Sequence, residues 1–113
     1  MTDLLTPTVR VTTYTVTCLP PDTPDAEAWQ ITVERRSRDM WAIRQRSWFL
    51  TSGGRWEVAG EREDGGWLTE HHFPLNEAIE LAKRAAPHVI VSGLTPAALL
   101  TWRAQQKAAH DET

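Results

Sequence analysis

Cysteine is almost missing from this chain: Cys18 stands alone, and a lone thiol cannot close an internal disulfide. A disulfide-stapled secreted scaffold is thereby excluded. Long hydrophobic runs are missing too; none approaches the roughly 20 apolar residues that a membrane-spanning helix needs. The opening MTDLLTPTVR has neither the basic start nor the apolar stretch of a signal peptide, so a cytoplasmic protein with no membrane partner is expected. Glycine-rich loops of the kind that cradle phosphates are absent: Gly53-Gly54 and Gly65-Gly66 sit at hairpin positions and do not open helices. No cofactor is expected. Lysine is scarce as well; Lys83 and Lys107 are the only two, so arginine supplies the other ten of 12 basic residues.

What is present fits one folded body. A chain of 113 residues with 41% apolar and 24% charged side chains falls within the globular range, and a single domain over 1–113 is expected. Six tryptophans supply large rings for a core. The net charge of −3 is mild, but its distribution is not. From Arg35 to Arg55 six arginines face one acid, Asp39, a balance of +5; from Glu57 to Glu80 seven acids face Arg62, a balance of −6.

Periodicity then assigns elements. Residues 1–8 read as a flexible lead-in. VRVTTYTVTCL alternates, with Tyr14, Val16 and Cys18 on one face, as a half-buried strand does. Cys18 reads there as a small inward residue and not as a nucleophile. Pro20, Pro21 and Pro24 mark an exposed loop over 20–28. WQITVER sets Trp29, Ile31 and Val33 on one face, and residues 35–39 form a polar turn. MWAIRQRSWFLTS reads as one long strand whose phase changes near Gln45–Ser47, suggesting a bulge or break. Gly53-Gly54 predicts a hairpin, RWEVAGER a returning strand with Trp56 and Val58 inward, and EREDGG a second turn. GWLTEHHF closes the sheet with Trp67, Thr69, His71 and Phe73 on one face. Helical spacing of Leu75, Ala78, Ile79, Ala82 and Ala86 follows, with Glu80 and Arg84 at i,i+4 on the outer face. HVIVSG is a buried connector or an extra edge strand. Thr95-Pro96 starts a second helix through Leu99, Leu100 and Trp102, fraying after Ala109 into a tail at 110–113. The fold class is α+β: an antiparallel meander of about five strands, then two helices packed on one face.

Candidate chemistry is thin. Glu70, His71 and His72 invite a metal reading, but adjacent strand residues point to opposite faces, and satisfied histidines are the simpler expectation. EHHFPLNE resembles the ββα nuclease motif at the strand end alone; Asn76 comes too soon and the following helix has no second histidine. Glu61, Glu63 and Asp64 read as a charged hairpin tip. No metal site and no catalytic residue are expected, and the protein reads as a non-enzyme.

RRSRDMWAIRQRSWF is the richest stretch. Arg35, Arg36, Arg38, Arg44 and Arg46 interleave with Trp48 and Phe49, and arginine with exposed aromatic rings suits a protein interface or a nucleic acid. The competing expectation is that these arginines pair with the acidic strands across the sheet. The stretch from about Trp29 to Ala86 resembles in topology the arm-binding domains of phage-type integrases, which implies a sheet laid in the major groove. At whole-chain level, TTYTVTCLP, the Trp-rich strands and FPLNEAIELAKRAAPHVIVSGLT resemble small accessory proteins of actinobacteria and their phages. That resemblance implies action by binding one host or viral protein. The expectation is a binding protein whose partner is another protein, with Trp48, Phe49, Arg44 and Arg46 as its patch. Self-association through that patch or an edge strand is a further mode, and nucleic-acid binding is the alternative.

Overall fold

Two strands of opposite direction carry the centre of the molecule. In the computed structural model, which describes residues 5–58 and 70–111, β2 (Ile31–Ser37) pairs with β3 (Met40–Gln45) in the register Val33↔Ile43 and Arg35↔Trp41. The period-two pattern puts Ile31, Val33, Trp41 and Ile43 on the face that meets a helix, and all four are buried. Each such side chain contributes ~1.5–3 kcal/mol on burial. The strand outlasts the expected polar turn: Arg35 and Arg36 belong to β2, the register shifts between Arg35 and Ser37, and the reversal is confined to Arg38 and Asp39. Asp39 takes the left-handed φ of 62° that such a turn needs and that aspartate tolerates.

β1 (Thr13–Val16) adds to β2 as an edge strand, pairing Tyr14 with Val33 and Val16 with Ile31. It is shorter than its alternation predicts, and Cys18 is exposed, not inward. The Leu19 amide donates to Thr17 Oγ1 at 3.1 Å, which turns the chain away before Cys18, and Leu19 takes the buried place. The proline-rich loop carries regular structure at its end, a one-turn 3₁₀ helix (Ala26–Trp29) that buries Ala26 and Trp29.

The expected long strand over 40–52 is two strands. Arg46, at φ 60°, and Ser47 form a two-residue turn, and β4 (Trp48–Leu50) folds back on β3 with Gln45 opposite Trp48. A reversal of this kind sets residues i and i+3 face to face, so the apolar parity flips. The phase change in the sequence is therefore a hairpin and not a bulge. The Gly53-Gly54 turn, with Gly54 at φ +82°, leads to β5 (Trp56–Val58), paired with β4 through Leu50↔Trp56 and Trp48↔Val58.

Five strands thus stand in meander order, β1-β2-β3-β4-β5. β6 (His72–Phe73) returns to β3 instead of extending the meander, with Phe73 opposite Trp41 and His72 opposite Ala42. The free edge of β3 is shared: β6 takes its first half and β4 its second. The expectations at Glu61, Glu63, Asp64, Gly65-Gly66, Trp67 and Thr69 lie outside the described residues.

α1 (Leu75–Ala85) crosses β1, β2 and β3. Ala78 and Ala82 are fully buried on it, because small side chains bring the helix close to the sheet. Pro74 stands at its entrance and Pro87 lies in the 3₁₀ turn (Ala86–His88) that follows its end. The connector after it is neither a buried link nor a paired edge strand: Val89 is buried, Ile90 is exposed, and a tight turn at Ser92 and Gly93 closes an isolated bridge between Val91 and Leu94. Thr95 Oγ1 accepts the Ala98 amide at 3.2 Å and caps α2 (Pro96–Asp111). Leu99 seats this helix in the core, and the Trp29 indole N–H donates to Leu94 O at 2.9 Å. Arg103 donates to Pro24 O at 3.2 Å. Beyond Arg103 the side chains to His110 are exposed. One hydrophobic cluster runs from Leu19 to Leu99. Among the described residues no helix is long and apolar enough to cross a membrane.

Candidate functional site: a tryptophan groove with a cationic rim

The residues of the arginine–aromatic stretch divide between the two faces of the sheet. Neighbours on a strand point to opposite sides, so Trp48 and Phe49 cannot share a surface. Arg44 is opposite Phe49 in the β3–β4 pair, and both lie on the face turned away from α1. There Phe49 is only 8% exposed, which corrects the expectation of an open aromatic anchor. The Arg36 guanidinium carbon lies 5.3 Å above its ring and helps to cover it, a contact worth about 0.5–1 kcal/mol.

Glu34 governs the charge of that outer face. Its Oε1 lies 3.2 Å from Arg36 Nη2 and 3.1 Å from Arg44 Nε, and Arg44 Nη2 donates to Oε2 at 3.3 Å. The Nε contact is an ion pair by distance only: its N–H has no hydrogen-bond acceptor, so the directed bond is the one from Nη2. Arg36 and Arg44 do face a carboxylate, but it stands on β2, and no described acid of the run 57–80 pairs with them. Arg35 lies on the helix side, beside Tyr14, Trp41 and Leu75, and Arg38 and Arg46 project from separate turns. The seven predicted binding residues therefore do not form one patch.

Trp48 is different. It shares the helix-side face with Leu50 and Trp56, but lies past the helix, where none of the described residues roofs it. It is 45% exposed, its cross-strand partner Val58 is 50% exposed, and Ile90 nearby is 66% exposed. Single exposed apolar residues are ordinary, whereas three together beside a half-buried tryptophan make a patch. Gln45, Trp48, Trp56, His88, Val89 and Ile90 line an open groove of about 380 Å³. One wall is pinned by Gln45, whose Nε2 donates to Ala28 O at 2.8 Å. A second groove of about 390 Å³ lies across Trp56, walled by Leu50, Leu81, Arg84 and His88 with the glycine turn. Trp56 and His88 belong to both, so Trp56 forms a ridge between two lobes.

Arg84, expected on the outer face at i,i+4 from Glu80, lines this site and does not pair with Glu80. Glu80 meets Lys83 instead, at 3.5 Å. Sequence reasoning missed Arg84, His88 and Ile90 as site residues; they come from the end of α1 and the connector, and only the tertiary fold brings them to β4 and β5. The inward parity of Trp56 and Val58 was visible, but the limit of the helical roof was not.

One ionisable cluster lies elsewhere. His71 is 1% exposed and its Nε2 lies 2.9 Å from Glu57 Oε1. Glu70, whose carbonyl accepts the Ser52 amide at 3.0 Å, completes a group whose ligand atoms all lie within 4.8 Å of one another. Three such ligands are the number a metal centre uses, but the hydrogen bond to Glu57 accounts for the buried imidazole without an ion. The expected satisfied histidine is what this contact provides, and His72 stays outside the group. No family model, curated protein or solved structure matches this chain.

Proposed function

We propose that this protein is a non-enzymatic binding module whose partner is another protein, held at the Trp48–Trp56 groove. The observation that carries the reading is the exposed trio Trp48, Val58 and Ile90 beside a two-lobed groove. Tryptophan in an open apolar pocket is the typical energetic centre of a protein interface. A nucleic-acid surface is less well supported, since Arg36 and Arg44 share the carboxylate of Glu34, which offsets one of their two charges, and Arg35 lies on the opposite face. Catalysis is less well supported too, because the imidazole of the Glu57–His71 pair is out of reach of a dissolved substrate. Action on a host or viral protein, the setting implied by the resemblance to phage accessory proteins, belongs to the same proposal.

Display of random peptides against the purified protein tests it. Sequences enriched on the native chain and lost on Trp48→Ala support the groove. Retention of duplex or single-stranded DNA at low salt, with no Trp48-dependent peptide, replaces it with the nucleic-acid reading.

A further inference from the structure

The walls of the two lobes have a one-sided charge. Among the described residues their only ionisable side chains are Arg84 and His88, and no carboxylate lines either lobe. Arg46 lies in the turn before Trp48 and Arg55 precedes Trp56, but neither is among the residues that line the lobes. Among the described residues no carboxylate pairs with Arg46, Arg55 or Arg84, in contrast to Arg36 and Arg44 on the other face. Glu57, the nearest acid in sequence, is opposite Phe49 on the outer face and is engaged by His71. Among the described residues an apolar floor thus carries one cation on its wall, Arg84, that no carboxylate pairs.

We infer that the occupant of this groove is a short acidic segment of the partner protein, carrying a large apolar side chain flanked by Asp or Glu. The inference rests on the groove being the binding surface and adds the chemistry of what binds. An apolar side chain entering either lobe covers the Trp56 ridge, and a flanking carboxylate meets Arg84. Charge-assisted contacts at such a rim set partner choice and association rate more than total affinity. A polyanion such as DNA satisfies the cations but leaves the indole and aliphatic surface of the floor without a partner. A basic segment meets like charge at Arg84.

The test repeats peptide display on the native chain and on Arg84→Glu, then measures fluorescein-labelled versions of the enriched peptides by anisotropy. Arg84 and Trp48 are both at the surface, and thermal unfolding confirms that each variant is folded. Enriched peptides are expected to place Asp or Glu beside Leu, Phe or Trp. They should lose roughly ten-fold in affinity on Arg84→Glu and weaken as salt rises, while Arg84→Glu itself enriches basic flanks. Peptides that need Trp48 but show no acidic bias and bind Arg84→Glu equally well overturn this inference and leave the groove standing. Absence of any Trp48-dependent peptide overturns the groove reading itself. A duplex oligonucleotide that displaces the acidic peptides and binds more tightly than they do overturns the inference in favour of nucleic acid.

Discussion

Replacing Glu34 by glutamine keeps the side-chain shape and removes the charge that holds Arg36 and Arg44. The Glu34 side chain is 20% exposed and each arginine side chain 41%, so the two pairs are partly screened and not buried. Exposed pairs contribute ~0.2–1 kcal/mol each, which places the combined loss at about 1 kcal/mol. For a domain of this size that corresponds to a fall in Tm of about 4 °C. The loss should shrink in about 1 M salt, where the screening length is only about 3 Å. Calorimetry of the native chain, Glu34→Gln, Arg44→Gln and the double variant at low and high salt gives the coupling directly. The same change leaves two cations without a partner on the outer face, so Glu34→Gln should bind DNA at low salt more strongly than the native chain. Equal Tm values at low salt, together with unchanged DNA binding, refute the assignment of Glu34 as the counter-charge of this face.

Three further outcomes follow from the packing. Ile43→Ala, at a fully buried site on the central strand, should cost ~2–5 kcal/mol, read by urea unfolding; a loss under about 0.5 kcal/mol would remove Ile43 from the core. Thr95→Ala deletes the hydroxyl that accepts the Ala98 amide and should cost ~1 kcal/mol, whereas Thr95→Ser should retain most of it. Cys18 should react with a thiol reagent in the native state as fast as a free thiol, and a reaction that waits for unfolding would contradict its exposed position.

The signals that survive from sequence to structure are local and periodic. Ile31 and Val33 on one side of β2, the helix over Leu75–Ala85, and the Thr95-Pro96 start of α2 all depend on spacing within one element. Failures come where a second element decides. Cys18 keeps perfect alternation, yet a hydroxyl two residues before Leu19 ends the strand early. Arg46 and Ser47 lack the glycine or asparagine that marks a tight hairpin, so only the parity flip betrays the turn. Phe49 seemed an exposed anchor because it adjoins Trp48, but its cover is Arg36 from two strands away. The long-range balance of +5 and −6 suggested the acidic run as counter-charge, while Glu34, just outside the counted stretch, is the carboxylate that Arg36 and Arg44 share. The groove depends on β4, β5 and the segment 88–90 meeting at one point, and no spacing within a single element encodes that meeting.

Indole N–H resonances report the groove directly, because tryptophans stand at known depths around it. Titration with a peptide selected by the native chain should shift the Trp48 and Trp56 signals. Trp29, whose N–H is held by Leu94 O, and the buried Trp41 should stay in place. Stationary Trp48 and Trp56 signals, with shifts confined to the amides of Arg36, Arg44 and Phe49, would move the binding surface to the opposite face of the sheet.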